Sequence, residues 1–113
     1  MQEETKKFDI NLNYQLSAKD EAERKGKTTP AEMTEDYLVY SVNGAYPQGM
    51  EGQLRRIWGR IQRKLFAAIE SKNYVIELEA KEVDLLKKSL ASAKFPAIFS
   101  KYVTILEDAI NSL

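Results

Sequence analysis

The chain has 113 residues, 43% of them hydrophobic and 30% charged, which is enough apolar material for one compact core and too little length for a second. Its 17 basic and 17 acidic side chains cancel, so the molecule as a whole exerts no long-range pull on nucleic acid or on an anionic membrane. It has neither cysteine nor histidine, which removes disulfides, thiolate nucleophiles, iron–sulfur ligation, the usual zinc sites and the imidazole proton shuttle.

The first seven residues, MQEETKK, lack the apolar run of a signal peptide, and no later stretch reaches the roughly 18 uninterrupted apolar residues of a membrane span. A cytoplasmic location is therefore expected, with no membrane partner. Residues 1–7 and about 17–28 are expected to be exposed or mobile parts of a single domain over 1–113.

Residues 8–16, FDINLNYQL, alternate strictly between apolar and polar, which predicts a half-buried strand. Ser17 to Asp20 resembles a capping box, but the segment it would open has almost nothing apolar to bury. Thr29-Pro30 is a stronger helix start, with Thr as N-cap, Pro at the first position and Glu32, Glu35 and Asp36 near the positive end of the dipole. That helix is expected to stop after Val42, at Asn43-Gly44. A β-hairpin at Asn-Gly is the competing reading, disfavoured because Pro47 follows so closely.

A second helix is predicted from about Met50 to about Ser71. At 100° per residue Met50, Leu54, Ile57, Trp58, Ile61, Leu65, Ala68 and Ile69 form one apolar stripe about 120° wide. Arg56, Arg60 and Arg63 fall opposite it, with Arg55 and Lys64 on its flanks. Gly59, inside this helix, suggests close packing against a neighbour. Residues 73–79 then predict a short strand, and about Ala80 to Ala93 a helix with Val83, Leu86, Leu90 and Ala93 on one face. Phe95-Pro96 breaks it. The last helix, from about Ala97, carries apolar residues over an arc of about 160°, which demands a central place in the fold or cover from another chain.

Charge is distributed unevenly along the chain. Residues 1–49 hold six basic and nine acidic side chains, residues 50–72 six and two, and residues 73–113 five and six. Like charges four apart on the cationic helix cost about 0.2 to 0.5 kcal/mol per pair, so compensation is expected. Glu77, Glu79, Glu82 and Asp84 could supply it within the chain, as could the acidic turn at Glu32, Glu35 and Asp36. A solvated or internally paired face, the wet back of a buried helix, is the first expectation for such a row; a partner, either an acidic protein surface or a phosphate backbone, is the alternative. A helix reading bases would carry more Asn, Gln, Ser or Thr than Gln53 and Gln62. Met33, Tyr37 and Tyr40 line a second side of the first helix, apart from Ala31, Leu38 and Val42. Both sides are expected to be core, since helices in small domains are often buried on two faces, and the alternative is a protein interface, where such residues are favoured. Trp58 belongs to the core stripe, and Phe66 alone among nearby aromatics projects off it.

Glu77 and Glu79 share a strand face, yet they fit solvated positions better than paired catalytic carboxylates. No glycine pattern matches a phosphate loop.

The expected fold is thus α+β and helix-rich, a small single domain with three to four helices packed on a minimal two-stranded β element. The expected function is that of a non-catalytic protein–protein interaction module, an adaptor, assembly factor or regulator with no cofactor and no metal. Its small size and local composition are compatible with a phage or mobile-element protein. The candidate partner-binding residues are Arg55, Arg56, Arg60, Arg63, Lys64, Met33, Tyr37 and Tyr40, with a protein partner first and a second copy of the chain next. The alternative is a nucleic-acid-binding regulator using the arginine face.

Overall fold

A computed structural model describes residues 4–20 and 29–113; most of the segment expected to be a mobile linker therefore lies outside the described residues. The fold is α+β. Strand β1 (Thr5–Asp9) pairs antiparallel with β2 (Val75–Glu79), Thr5 facing Glu79, Phe8 facing Ile76 and Asp9 facing Val75. Around this ribbon lie α1 (Pro30–Ala45), α2 (Gly52–Ser71), α3 (Ala80–Ser92) and α4 (Ser100–Asn111), with a 3-10 turn at Ala97–Phe99 before α4 and helical geometry at residues 18–20. A lone two-stranded ribbon is marginal in water, so its buried residues Phe8, Ile76 and Leu78 depend on the helices for cover.

The segment expected as a strand over 8–16 is one only as far as Asp9, and the strand begins earlier, at Thr5, among residues expected to be exposed or mobile, of which Thr5, Lys6 and Lys7 are exposed. One further bond, Ile10 N–H to the Tyr74 carbonyl at 2.9 Å, extends the pairing. Beyond it the period-two burial persists without a ladder: Ile10 and Tyr14 are buried and Leu12 and Leu16 half-buried, while their polar neighbours face water. Alternation reports which side of an extended chain is dry, and a helix can dry that side as well as a strand can. Here α1 does so. Thr34 Oγ1 donates to the Ile10 carbonyl at 2.7 Å and lies 2.5 Å from the Tyr14 hydroxyl. Thr34 has one proton and spends it on a carbonyl, so Tyr14 is the donor in the second bond.

Helix α1 starts as its sequence indicates, with a complete capping box: Glu32 N–H donates to Thr29 Oγ1 at 3.2 Å and Thr29 N–H to Glu32 Oε1 at 3.3 Å. Its end differs from expectation. It runs through Asn43-Gly44 to Ala45, and the hairpin reading fails with it. Gly44 serves packing instead, since a Cβ placed there would lie 3.4 Å from that of Ala93. Gly59, for which close packing was expected, has nothing within 4 Å of such an atom.

Helix α2 buries the expected stripe: Ile57, Trp58, Ile61, Leu65 and Ala68 are buried, with Trp58 only 8% exposed. It ends at Lys72 in the left-handed conformation, φ 59°. The centre of the fold is α3, which touches α1, α2, α4 and β2. This position explains why it buries Glu82, Leu85 and Ser89 in addition to Val83, Leu86 and Leu90. The terminal helix is less central than its apolar arc suggested. Val103, Leu106 and Ile110 are buried, whereas Ile98 in the preceding turn is 78% exposed. Among the described residues no helix is long and apolar enough to cross a membrane.

Candidate functional site

Two surfaces hold the side chains that the sequence singles out, and the structure keeps them apart. The first is the outer face of α2. Arg55, Arg56, Arg60 and Arg63 are all exposed, and none forms an ion pair with a described residue. Lys64 differs. It is half-buried, and its Nζ donates to Glu82 Oε1 at 2.6 Å, tying α2 to α3. The same oxygen accepts the Glu79 N–H at 2.8 Å. The compensation expected for the cationic row is thus internal at Lys64 and absent among the described residues for the arginines. Phe66, 63% exposed, projects from the same wet side of the helix.

The second surface is an aromatic cleft of about 610 Å³ between α1 and the turn leading into α4. Helix α1 contributes Met33, Tyr37 and Tyr40, the three residues whose spacing set them on a second side of that helix. Met33 is buried, Tyr37 half-buried, and Tyr40 47% exposed. Phe95, Ile98, Phe99 and Tyr102 form the opposing wall. Pro96 carries no N–H and ends any helix before it, so Phe95 to Phe99 form a turn that presents apolar side chains outward. The rings interlock. Tyr40 lies against Phe95 with centroids 4.8 Å apart, and Tyr37 meets Phe95 edge-on at 6.2 Å and Phe99 at 6.1 Å. Behind them Tyr14 packs edge-on against Tyr37 at 6.0 Å and Tyr102 at 6.2 Å, so the Thr34 bond to Tyr14 also fixes the back of the cleft.

The charged groups of the cleft are unequal. At one end Asp20 meets Lys101, Oδ2 to Nζ at 3.5 Å, and that ammonium sits 4.9 Å above the Tyr102 ring. The Ser17 backbone N–H, the Tyr102 hydroxyl and the Ser17 side chain hold the Asp20 carboxyl well below the usual range. Asp36 also lines the cleft. Although Asp36 is exposed, partial desolvation and the neighbouring Glu32 push its carboxyl up; partial burial with Asp36 and Glu32 does the same to Glu35, which with Glu32 lies on α1 outside the cleft lining. Among the described residues no cation pairs with any of these three acids. The cleft therefore holds, among the described residues, an ammonium that is paired with Asp20 and set against an aromatic face, and no cation beside Asp36.

Of the cleft's wall, the half on α1 is legible from helical spacing. Of the half from Phe95 to Tyr102, helical spacing puts Ile98, Phe99 and Tyr102 on the apolar arc of the last helix but not opposite α1, and it leaves out Phe95. In the structure Phe95 lies in the break, Ile98 and Phe99 in the 3-10 turn and Tyr102 in the first turn of α4. The usable signal is local: Phe-Pro followed by Ile-Phe in a segment that cannot be regular helix. Glu77 and Glu79 lie outside the cleft, and among the described residues no group of three or more carboxylates is placed to hold a metal ion. Comparison of the chain with family models, with curated proteins and with solved structures finds no match in any of the three.

Proposed function

We propose that the chain is a non-catalytic protein–protein interaction module of the cytoplasm, an adaptor, assembly factor or regulator, whose working surface is the aromatic cleft. One observation carries this reading. Five large apolar side chains stand exposed among the described residues, and three of them, Tyr40, Ile98 and Phe99, converge on this cleft. Exposed apolar groups scattered singly are ordinary, whereas their convergence in an aromatic hollow is the composition of a protein-binding hot spot.

The occupant that fits is an amphipathic segment bringing an apolar anchor for the rings and basic side chains for Asp36 and its neighbours on α1. A labelled helical peptide of leucine and arginine, set against a leucine and glutamate counterpart, tests this by fluorescence anisotropy. The basic peptide is expected to bind the wild type, and to bind at least about tenfold more weakly after Tyr40→Ala and Ile98→Asp, both at exposed positions. Equal binding of the two peptides, or binding indifferent to those substitutions, contradicts the reading.

The four exposed arginines favour a second reading, a regulator that binds nucleic acid through phosphate contacts. Such binding weakens steeply with salt, in proportion to the number of phosphates neutralised, and is lost in Arg56→Glu, Arg60→Glu.

A further inference from the structure

The basic, apolar segment that the cleft calls for is present on the chain itself. At 100° per residue, Arg55, Arg56, Arg63 and Phe66 fall within an arc of about 100° on the outer side of α2, and Gly59 in their midst adds no side chain to cover them. Phe66 is the fourth of the five exposed large apolar side chains. Among the described residues of one copy nothing covers it, because every inward position of α2 is already filled by the stripe around Trp58. The charge division runs the same way: the excess of cations lies in residues 50–72 and the excess of acids in residues 1–49, the segment that supplies Asp36.

Resting on the interaction-module reading, we infer that the occupant of the cleft is α2 of a second copy, with Phe66 as the anchor beside Tyr40 and Ile98, and Arg63, one turn away, directed at Asp36. Charge complementarity and apolar complementarity select the same pairing. The two patches are unlike, so the contact joins the helix face of one copy to the cleft of another, the heterologous type of association. It follows that a copy with a defective cleft and a copy with a defective helix face retain one intact contact between them.

Sedimentation equilibrium on the full chain tests this with two variants. Arg63→Glu, Phe66→Ala disables the helix face, and Asp36→Lys, Tyr40→Ala disables the cleft; all four positions are exposed, and circular dichroism with a melting curve checks that each variant is folded. The wild type is expected to associate with rising concentration. Each variant alone is expected to stay at the 12.9 kDa monomer mass, its association weakened at least about tenfold. An equimolar mixture of the two is expected to regain a species of twice that mass. The inference is overturned by a wild type that remains monomeric, by a mixture that remains monomeric, or by association that survives both variants. Association that nuclease treatment abolishes also overturns it and points to bridging nucleic acid. A monomeric wild type whose cleft still takes the basic peptide defeats self-docking and leaves the module reading standing; failure of both experiments defeats both.

Discussion

Replacing Thr34 by valine removes one oxygen from the buried junction between the N-terminal arm and α1, at nearly constant volume. Packing loss therefore contributes little, and the cost is polar. Two effects add. The bond from Thr34 Oγ1 to the Ile10 carbonyl, 2.7 Å long, is lost, and the Tyr14 hydroxyl, in a residue 1% exposed, is left without its acceptor. A net hydrogen bond is worth about 1 kcal/mol and a buried orphan costs about 1 to 3, so Thr34→Val is expected to cost about 2 to 3 kcal/mol. Tyr14→Phe is milder, about 1 kcal/mol, because Thr34 keeps its bond to Ile10 and no group is orphaned. In the double variant the orphan disappears, so the two costs fall short of additive by about 1 kcal/mol. Urea unfolding followed by Trp58 fluorescence measures all three, with the slope against urea unchanged if only stability is altered. In a melting curve, an unfolding entropy of about 0.24 kcal/mol/K for a chain of this length converts 2 kcal/mol into a drop of about 8 °C. Equal costs for the two single variants, or strict additivity, would refute the assigned direction of the Tyr14 bond.

Three further outcomes follow from the packing and the charges. Lys64→Met leaves the Glu82 carboxylate, 1% exposed, with the Glu79 N–H as its remaining described donor; a cost of about 1 to 2 kcal/mol is expected, discounted because the lysine is partly solvated. Glu82→Gln in the same background should recover part of it in chemical denaturation. Gly59→Ala adds a methyl group to open space inside a helix, so a gain of about 0.5 to 1 kcal/mol, or about 2 to 4 °C in the melting temperature, is expected. Glu35 has a carboxyl raised by burial, Asp36 and Glu32, so its ionisation opposes folding: its favourable contribution is complete below the unfolded carboxylate range and fades as pH rises through the raised value. Glu35→Gln is accordingly expected to be more stable than the wild type at pH 7, by about 0.2 to 0.5 kcal/mol, with the advantage vanishing near pH 4 in a melting series.

What could be read from the residues alone is what is decided locally. Thr29, Pro30 and Glu32 make their cap within four residues, and the Trp58 stripe needs only one helical period, so both appear in the structure as the pattern implies. The arm from Ile10 to Leu16 shows where such reading stops. Its alternation correctly marks the dry side, but whether a strand or α1 dries it depends on residues 20 or more positions away. Gly44 and Gly59 make the same point, since an identical residue in a helix is a contact site in one case and a gap in the other. The cleft is half legible for the same reason. Met33, Tyr37 and Tyr40 declare themselves by spacing, while Phe95, Ile98 and Phe99 reach them only because Pro96 turns the chain back across α1.

The most direct measurement is a dilution series of amide chemical shifts on the full chain, from about 1 mM to about 10 μM, the range of weak specific contacts. Docking of α2 into the cleft of another copy requires that the amides of residues 55–66 move together with those of residues 33–40 and 95–102, along one common binding curve. Shifts confined to Thr5–Asp9 and Val75–Glu79, or a spectrum unchanged across the series, would contradict it.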